Sequence, residues 1–422
     1  MAVLEARDRI GGRVHTHRIA GGAHAEAGGE FIDTRHTTML AYCKRFGLEL
    51  EDTRRGGRGL RGVVWRNGSR HAGPEFRTPP VMRKIDGMYR RIYEFALQVD
   101  PSDPLAGGGR RLDRTSVAAL LDRARLGNRA RFLAERSIRD DYGAEPRSLS
   151  LLGLLLSERI EYDQPPDGVE AFRVAAGNST LPEALAASLS TPPALASPVL
   201  GVRHGAGGVA VRTGGGEWAA DACVLAVPVP ALRRIEIDPA PRGALAEAVA
   251  TLRNVPVVKT LLPYRKRFWR RRDESGGLAS DLELGTTWEG TDGQRTSEGI
   301  LIAYASGSRG VAVARRAPER RITRARRDVA RVWPGTSHLA LLGEAATFAW
   351  ATDPWAGGAW SGYAPGQVES CWVPLKEADP AVGPRLVLAG EHTDRLNGYM
   401  EGAARSGKRA ARLVANAASG AT

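Results

Sequence analysis

Two kinds of pattern alternate along this chain: short apolar runs bounded by glycine, and longer stretches in which apolar residues recur with helical spacing. Residues 60–72 alternate in polarity around Asn67-Gly68, a strong turn signal, and predict a β-hairpin. Further short β-prone runs lie at 199–202, 209–212, 223–227, 255–263 and 385–389. Helices are expected at 36–46, 80–99, 115–125, 128–140 and from about 402 to 417.

Elements typical of a nucleotide-binding domain lie at both ends and in the middle of the chain. Residues 2–6 predict a short buried strand that carries Glu5 near its end. A length of 422 residues suggests two intertwined domains rather than one simple core. We therefore predict a mixed α/β fold class, with a discontinuous Rossmann-like domain and an inserted domain of a sheet plus helices. The predicted boundaries are 1–57, 165–247 and 362–422 for the first domain and 58–164 and 248–361 for the second.

The composition is that of an ordinary globular protein. The hydrophobic content is 42%, and the longest apolar runs are shorter than the roughly 18 residues of a transmembrane helix, so no membrane anchor is expected. The charged segment Met1–Arg9 lacks the apolar core of a secretory signal. Three widely spaced cysteines, Cys43, Cys223 and Cys371, fit neither a disulfide framework nor a four-cysteine zinc site. They favour a cytoplasmic location.

The net charge of +13 raises the question of a nucleic-acid partner. Six of the 60 basic residues are lysine and the other 54 are arginine, a skew that is typical of GC-rich coding sequence. The densest arginine stretches are Arg265–Arg272 and Arg315–Arg331, and the second has no interleaved aromatic residues that could stack on bases. The second stretch predicts a solvated helix face, and no nucleic-acid partner is expected.

A first candidate site follows the predicted N-terminal strand. In a dinucleotide-binding unit the second strand ends in a carboxylate that accepts the ribose hydroxyls, and Glu5 fits that position. Arg7, Gly12 and Arg13 follow, which supply positive charge and a backbone that a diphosphate can approach. On this local pattern alone, a strand edge and a turn with solvated charges explain the residues equally well.

Two further features have competing explanations. Lys259 lies inside an apolar strand, where a buried ammonium needs a polar partner, although a lysine on an edge strand can simply face outwards. His15 and His17 alternate, with His24 and His36 near them in sequence. No carboxylate or cysteine set completes a metal site there, so solvent-facing histidines are favoured and no metal is expected.

Six segments together resemble the flavin-containing amine oxidase family, the monoamine oxidase-like proteins. The final segment is the most specific, because a helix cap alone does not require its GE-T…GYMEGA pattern. The segments are LEARDRIGGRVHT (4–16), AEAGGEFID (25–33), GNSTLPEALAASL (177–189), VVKTLLPYRKRFW (257–269), FAWATDPWAGGAWSGYAPGQ (348–367) and LVLAGEHTDRLNGYMEGAARSGKRAA (386–411).

The resemblance implies an FAD cofactor and assigns roles residue by residue. Lys259 would hold a water against the flavin, and Trp360 and Tyr399 would form an aromatic cage for the substrate. Ala359 stands where some members carry a cysteine bonded to the flavin, so non-covalent attachment is expected. The implied FAD contacts are Glu5, Arg7, Gly12, Arg13, Gly28, Gly29, Glu30, Phe31, Val199, Trp350, Gly390, Glu391, Tyr399, Met400 and Ala403.

In the family a strand, a GxGxxG loop and a helix precede the segment that resembles residues 4–16. This chain offers only four residues before Glu5, so the phosphate loop is expected to be missing. A late start codon, a truncated gene and a real loss of cofactor binding all stay open.

The resemblance implies oxidative deamination of a primary or secondary amine to an imine and then an aldehyde, with O2 reduced to hydrogen peroxide. The expected partners are a small-molecule amine and O2, and a homodimer is left open. An L-amino-acid oxidase, a polyamine oxidase, a desaturase-type flavoprotein and an inactive truncated flavoprotein are the alternatives. Glu158, Glu161 and Asp163 are the acidic residues that keep a polyamine substrate open.

Overall fold

A computed structural model describes residues 1–54, 57–161, 168–377, 382–383 and 385–419 of the chain. Helices cluster between residues 73 and 161, and strands dominate from 199 to 306. The α-helices are Thr37–Arg45, Gly73–Phe76, Pro79–Ala96, Gly109–Arg114, Val117–Arg123, Gly127–Tyr142, Leu151–Glu161, Thr180–Ala187, Val229–Leu232, Gly243–Thr251, Gly307–Ala314, Pro318–Val332, Val373–Lys376 and Met400–Ser419.

A seven-stranded sheet forms the largest β-structure. Its strands are antiparallel except where Glu274–Ser280 pairs in parallel with Arg61–Arg66. Every residue of the strand Val257–Tyr264 is buried, because this inner strand has a neighbour on both edges and packed layers on both faces. In spatial order the strands are Ala346–Ala349, Val257–Tyr264, Gly299–Ser306, Thr286–Glu289, Glu274–Ser280, Arg61–Arg66 and Ser69–Ala72.

The rest of the β-structure is smaller and more broken. A four-stranded sheet has the order Glu236–Asp238, Val199–Gly205, Gly208–Thr213 and Gly216–Ala220. One two-stranded sheet is parallel and joins Cys223–Leu225 to Leu386–Leu388. Three more two-stranded sheets are antiparallel: Thr16–Arg18 with His24–Glu26, Leu50–Asp52 with Phe172–Val174, and Arg253–Asn254 with Ser361–Gly362.

Two large apolar cores support these sheets. The first joins the helices of residues 79–156 to the four-stranded sheet and to the segment 368–375. The second lies on the seven-stranded sheet and is covered by the helix Pro318–Val332, with Trp269 and Trp333 fully buried in it. The mixed α/β fold class that the sequence predicts is confirmed. The predicted domain boundaries stay a prediction.

Most of the predicted elements are present. The hairpin around Asn67-Gly68 is confirmed, and both turn residues have positive φ, as a tight two-residue turn requires. The predicted strand at 2–6 is wrong in extent. Leu4 makes a single parallel bridge to Ala194 and residues 3–6 are only half-buried, because that segment pairs on one side only.

The arginine-rich stretch 315–331 forms the helix Pro318–Val332, as predicted. Arg324 on it pairs with Glu283, and the helix buries Val329 against the sheet. In the described ranges no helix is long and apolar enough to cross a membrane. The same part of the chain contains no group of three potential metal ligands, and His15 and His17 both pack edge-on against Phe348.

Candidate active site

One large cavity, of about 2380 Å³, runs between the two sheets and the helices. Pockets for drug-sized ligands measure roughly 300–1,000 Å³, so this cavity has room for a dinucleotide together with a substrate. All the residues that the resemblance singles out line it. They are Glu5, Arg7, Gly12, Arg13, Gly28, Gly29, Glu30, Phe31, Val199, Lys259, Trp350, Ala359, Trp360, Gly390, Glu391, Tyr399, Met400 and Ala403.

The residues that follow the parallel strands Cys223–Leu225 and Leu386–Leu388, at their carboxyl ends, line the cavity. Ligands of open α/β sheets bind in this position, because the loops that follow parallel strands meet there. The 20-residue helix Met400–Ser419 begins at the same place, and Met400 and Ala403 line the cavity. Its N-terminal amides therefore offer partial positive charge to a ligand.

The segment around Gly28 is pressed against the segment around Arg13. A Cβ at Gly28 would lie 1.9 Å from the carbonyl oxygen of Arg13, so only glycine fits. The Trp350 indole Nε1 donates to the Ala27 carbonyl at 2.8 Å and fixes the same segment from its other side. Backbone atoms at 28 and 29 thus form part of the cavity wall.

Lys259 points from the seven-stranded sheet towards this wall. Its ammonium donates to the carbonyl oxygens of Glu26 (3.1 Å) and Gly28 (3.0 Å) and to the Glu30 carboxylate (2.8 Å). The three acceptors account for the three ammonium hydrogens. The side chain is 8% exposed, so the outward-facing alternative is wrong. Its role towards a water stays a prediction.

Glu30 is the centre of a buried ionic cluster. Besides Lys259, its carboxylate accepts from Arg173 at 3.4 Å and from the Trp288 indole at 3.0 Å. Nearby Glu26 is also buried. Burial, together with the neighbouring negative charge of Glu30, raises the pKa of Glu26 to about 7, because both disfavour its ionised form.

The two predicted cage residues lie on converging segments. The Trp360 ring packs on the backbone of Gly398, where an added Cβ would be 3.2 Å from its Cδ1 atom. Tyr399 follows directly, and its ring meets buried His36 edge-to-face with centroids 5.2 Å apart. The fold thus brings both aromatic side chains to the same cavity.

The two arginines expected near a diphosphate are both engaged with carboxylates. Arg7 makes a bidentate pair with Asp353, at 3.0 and 2.6 Å, and lies over the Trp350 ring. Arg13 donates to Glu391 at 2.9 Å and to the Ala359 carbonyl at 2.8 Å. Contacts of these arginines with a diphosphate stay a prediction.

The residues present fit an FAD at both of its ends. One carboxylate oxygen of Glu5 accepts the Arg7 amide at 2.8 Å, and the carboxylate faces the cavity, where ribose hydroxyls can reach it. At the other end, the backbone of Gly29, which lies against the Met400 side chain, and the first turn of the helix that begins at Met400 line the same space. This cradle suits a flat ring system with polar edges.

Sequence reasoning missed Glu170, an acidic residue of the cavity wall. Glu170 lines the cavity from a left-handed backbone conformation (φ 51°), which is uncommon for a residue other than glycine. Glu158 also lines it, and its carboxylate accepts the Tyr142 hydroxyl at 2.8 Å. Of the other acidic candidates, Glu161 ends a helix, and Asp163 lies outside the described residues.

Comparisons with known proteins agree with this geometry. Residues 1–415 match the family model described as flavin containing amine oxidoreductase. AofH of Mycobacterium tuberculosis, named as a flavin-containing monoamine oxidase, is 29% identical over 443 residues, which is 98% of this chain and 90% of that protein. The flavin-containing amine oxidase A of Equus caballus is 23% identical over 432 residues, covering 98% of this chain and 80% of that protein.

Solved structures show the same fold. Cyclohexylamine oxidase from Brevibacterium oxydans superposes with a TM-score of 0.86 at 24% identity, covering 98% of this chain and 93% of that chain. A putrescine oxidase bound to putrescine gives the same TM-score and coverage at 23% identity. The chain belongs to the flavin-containing amine oxidoreductase family. Membership implies a flavin cofactor and an oxidoreductase that acts on small molecules.

Proposed function

We propose that this chain is an FAD-dependent oxidase of a primary or secondary amine. The amine loses two hydrogens, one from the α-carbon and one from nitrogen, and becomes an imine. O2 takes up both and becomes hydrogen peroxide. Water then hydrolyses the imine to an aldehyde, with release of ammonia from a primary amine or of a smaller primary amine from a secondary amine. Bound FAD would supply the redox chemistry, by accepting a hydride equivalent from carbon and returning the electrons to oxygen.

The observation that carries the proposal is the placement of Trp360 and Tyr399 beside the Gly28–Gly29 wall of one cavity. Two π faces orient an uncharged amine and exclude water around it. The chain's own residues would therefore hold the α-carbon next to the ring that the glycine segment and Met400 accommodate. Lys259 would keep that segment in place through the Gly28 carbonyl.

The arginines that line the cavity bear on the amino-acid alternative. An amino acid needs an arginine for its carboxylate, but Arg7, Arg13, Arg136 and Arg173 all pair with carboxylates of the chain. The monoamine substrate is therefore preferred. Arg77 and Arg234 also line the cavity, and an amino-acid substrate would use one of them instead.

Three finer properties belong to the same proposal. FAD would be bound without a covalent link, because Ala359 offers no thiol. Residues 1–57, 165–247 and 362–422 would form the FAD-binding domain, and 58–164 and 248–361 the substrate domain. The location would be cytoplasmic, since Cys43, Cys223 and Cys371 are all free thiols.

The purified chain, incubated with FAD and freed of excess, should show flavin absorbance and release peroxide with tyramine. Leucine and putrescine, assayed in parallel, test the amino-acid and polyamine alternatives. A larger kcat/KM for leucine or putrescine than for tyramine would replace the monoamine as the proposed substrate class. A stable but colourless protein that releases no peroxide would establish the inactive alternative and overturn the proposal.

Tyr399→Ala should lower kcat/KM for tyramine by about 10–100-fold, because it removes one wall of the aromatic pair. Tyr42→Ala is the matched control, since Tyr42 is half-buried and is not among the residues that line the cavity. It should stay within about twofold of wild type. Equal losses in the two variants would contradict the cage assignment.

A further inference from the structure

Glu391 is 4% exposed, and its carboxylate lies where three separate segments of the chain meet. Oε1 accepts from Arg13 at 2.9 Å and from the Ser361 amide at 3.1 Å. Oε2 accepts from the Ser361 hydroxyl at 2.6 Å and from the Gly398 amide at 2.9 Å. Four donors therefore surround one carboxylate, which matches its acceptor capacity.

These donors are immediate neighbours of the aromatic pair. Ser361 follows Trp360, and Gly398 precedes Tyr399. Arg13 adds a tie on the other side of Trp360, because it also donates to the Ala359 carbonyl at 2.8 Å. One carboxylate thus joins the backbone that carries one cage ring to the backbone that carries the other.

We propose that Glu391 is a positioning residue whose side chain sets the spacing of Trp360 and Tyr399, and with it the size of the amine that the cavity accepts. This inference rests on the proposed function. It adds a role in positioning the cage rings to a residue for which the resemblance implies only a contact with the cofactor.

The electrostatics agree with a Glu391 carboxylate that stays charged while it links the two segments. Burial alone would raise the pKa of Glu391, but the Arg13 charge and the donated hydrogen bonds outweigh it and hold the pKa at about 2. The carboxylate therefore accepts from all four donors throughout the physiological pH range. A neutral amide cannot do this, since its NH2 group faces donors in either orientation.

Glu391→Gln is the main test. In one orientation of the glutamine amide, its NH2 group faces the Ser361 amide and Arg13. In the other orientation it faces the Ser361 hydroxyl and the Gly398 amide. We expect the ratio of kcat/KM for benzylamine to that for n-butylamine to change by at least about tenfold, because small misplacements within an active site have effects of that order or larger. Ser361→Ala removes one bond and should shift the ratio in the same direction by about fivefold or less.

Asp113→Asn is the matched control. The Asp113 carboxylate is fully buried and accepts the Ser150 hydroxyl and the amides of Val368 and Glu369, so it resembles Glu391 in its partners but does not line the cavity. Asp113→Asn should destabilise the fold and leave the benzylamine to n-butylamine ratio unchanged. A purely structural role for Glu391 predicts the same unchanged ratio for Glu391→Gln, which would overturn the proposal.

Hydrogen exchange gives a second measurement that needs no turnover. In the FAD-incubated chain, Glu391→Gln should speed exchange at the amides of Ser361 and Gly398, whereas Asp113→Asn should speed it at Val368 and Glu369. Unchanged exchange at Ser361 and Gly398 overturns the positioning role. If the wild type oxidises no amine, the proposed function fails, and exchange at these amides alone decides the positioning role. If Glu391→Gln does not fold, Ser361→Ala carries both measurements.

Discussion

Two buried carboxylates flank the cavity, and they hold different kinds of structure. Glu30 bonds to side chains, namely those of Lys259, Arg173 and Trp288. Glu391 bonds mainly to the backbone and hydroxyl of two loop segments, with Arg13 as its single cation. Glu30 compensates the buried positive charges of Lys259 and Arg173, and Glu391 fixes the backbone of the two loop segments.

The difference separates two ways in which a site is prepared. Around Glu30 the strands already fix the backbone, so the carboxylate has only to neutralise cations. Around Glu391 the segments are short, such as the two-residue strand Ser361–Gly362, and the carboxylate itself supplies the order. Loss of Glu30 should therefore appear mainly as lost stability, and loss of Glu391 mainly as altered selectivity.

The largest expected effect is that of Glu30→Gln. Both Lys259 and Arg173 are buried and would lose a charged partner, although Arg173 keeps Glu51 at 3.1 Å. Removal of one member of a buried ion pair costs about 3–5 kcal/mol. Urea unfolding at neutral pH, followed by tryptophan fluorescence, should show a loss of this order in the free energy of unfolding.

Glu217→Gln is the control for that measurement, because its pair with Arg203 is exposed. Exposed pairs contribute roughly 0–1 kcal/mol, so this variant should unfold almost like wild type. A loss below about 1 kcal/mol for Glu30→Gln would contradict the stabilising role of Glu30, since other groups would then compensate the charges of Lys259 and Arg173 equally well.

A double-mutant cycle sharpens the same contrast. Lys259→Met alone leaves Glu30 with one cation fewer, whereas Lys259→Met with Glu30→Gln removes both charges of the 2.8 Å pair. The combined loss in the free energy of unfolding should be about 1–3 kcal/mol smaller than the sum of the single losses. Strict additivity would show that the pair is not coupled.

The remaining expected effect is a pH dependence at Glu26. Its folded pKa of about 7 lies above its ordinary value of 4.5, so the folded state binds more protons between these values. This contribution to stability is present at low pH and declines as pH rises from 4.5 to 7, by at most about 1.4 kcal/mol per pH unit. Glu26→Gln lacks it. The difference in the free energy of unfolding between wild type and Glu26→Gln, measured by urea unfolding, should therefore vary between pH 4.5 and 7. A difference that stays constant over this range would contradict the burial of an ionisable Glu26.

Some of this architecture could be predicted from sequence because its cause is local. Asn67-Gly68 specifies a tight turn without help from distant residues. Lys259 in an apolar strand required a polar partner, and a partner was found. In contrast, an apolar run such as residues 2–6 does not say whether a neighbouring strand exists, and here the pairing amounts to one bridge.

The partners of the charged loop residues could not be predicted. Arg7 meets Asp353, and Arg13 meets Glu391, across 346 and 378 positions of the chain. Nothing in the spacing of either residue specifies the other, since loops set such pairings through the packing of the whole fold. Motif resemblance found the lining of the cavity, but it did not assign the hydrogen-bonding partners of its carboxylates.

Gly28 sets a limit on how this protein can diverge. Every single-base change that replaces a glycine introduces either a residue with a Cβ atom or a stop codon. At position 28 that Cβ atom would lie 1.9 Å from the Arg13 carbonyl oxygen. Displacement of Arg13 would disturb Glu391 and Ala359 at once. During evolution, Trp360 and Tyr399 could thus be substituted one at a time to accept new amines, whereas Gly28 would have to be inherited unchanged.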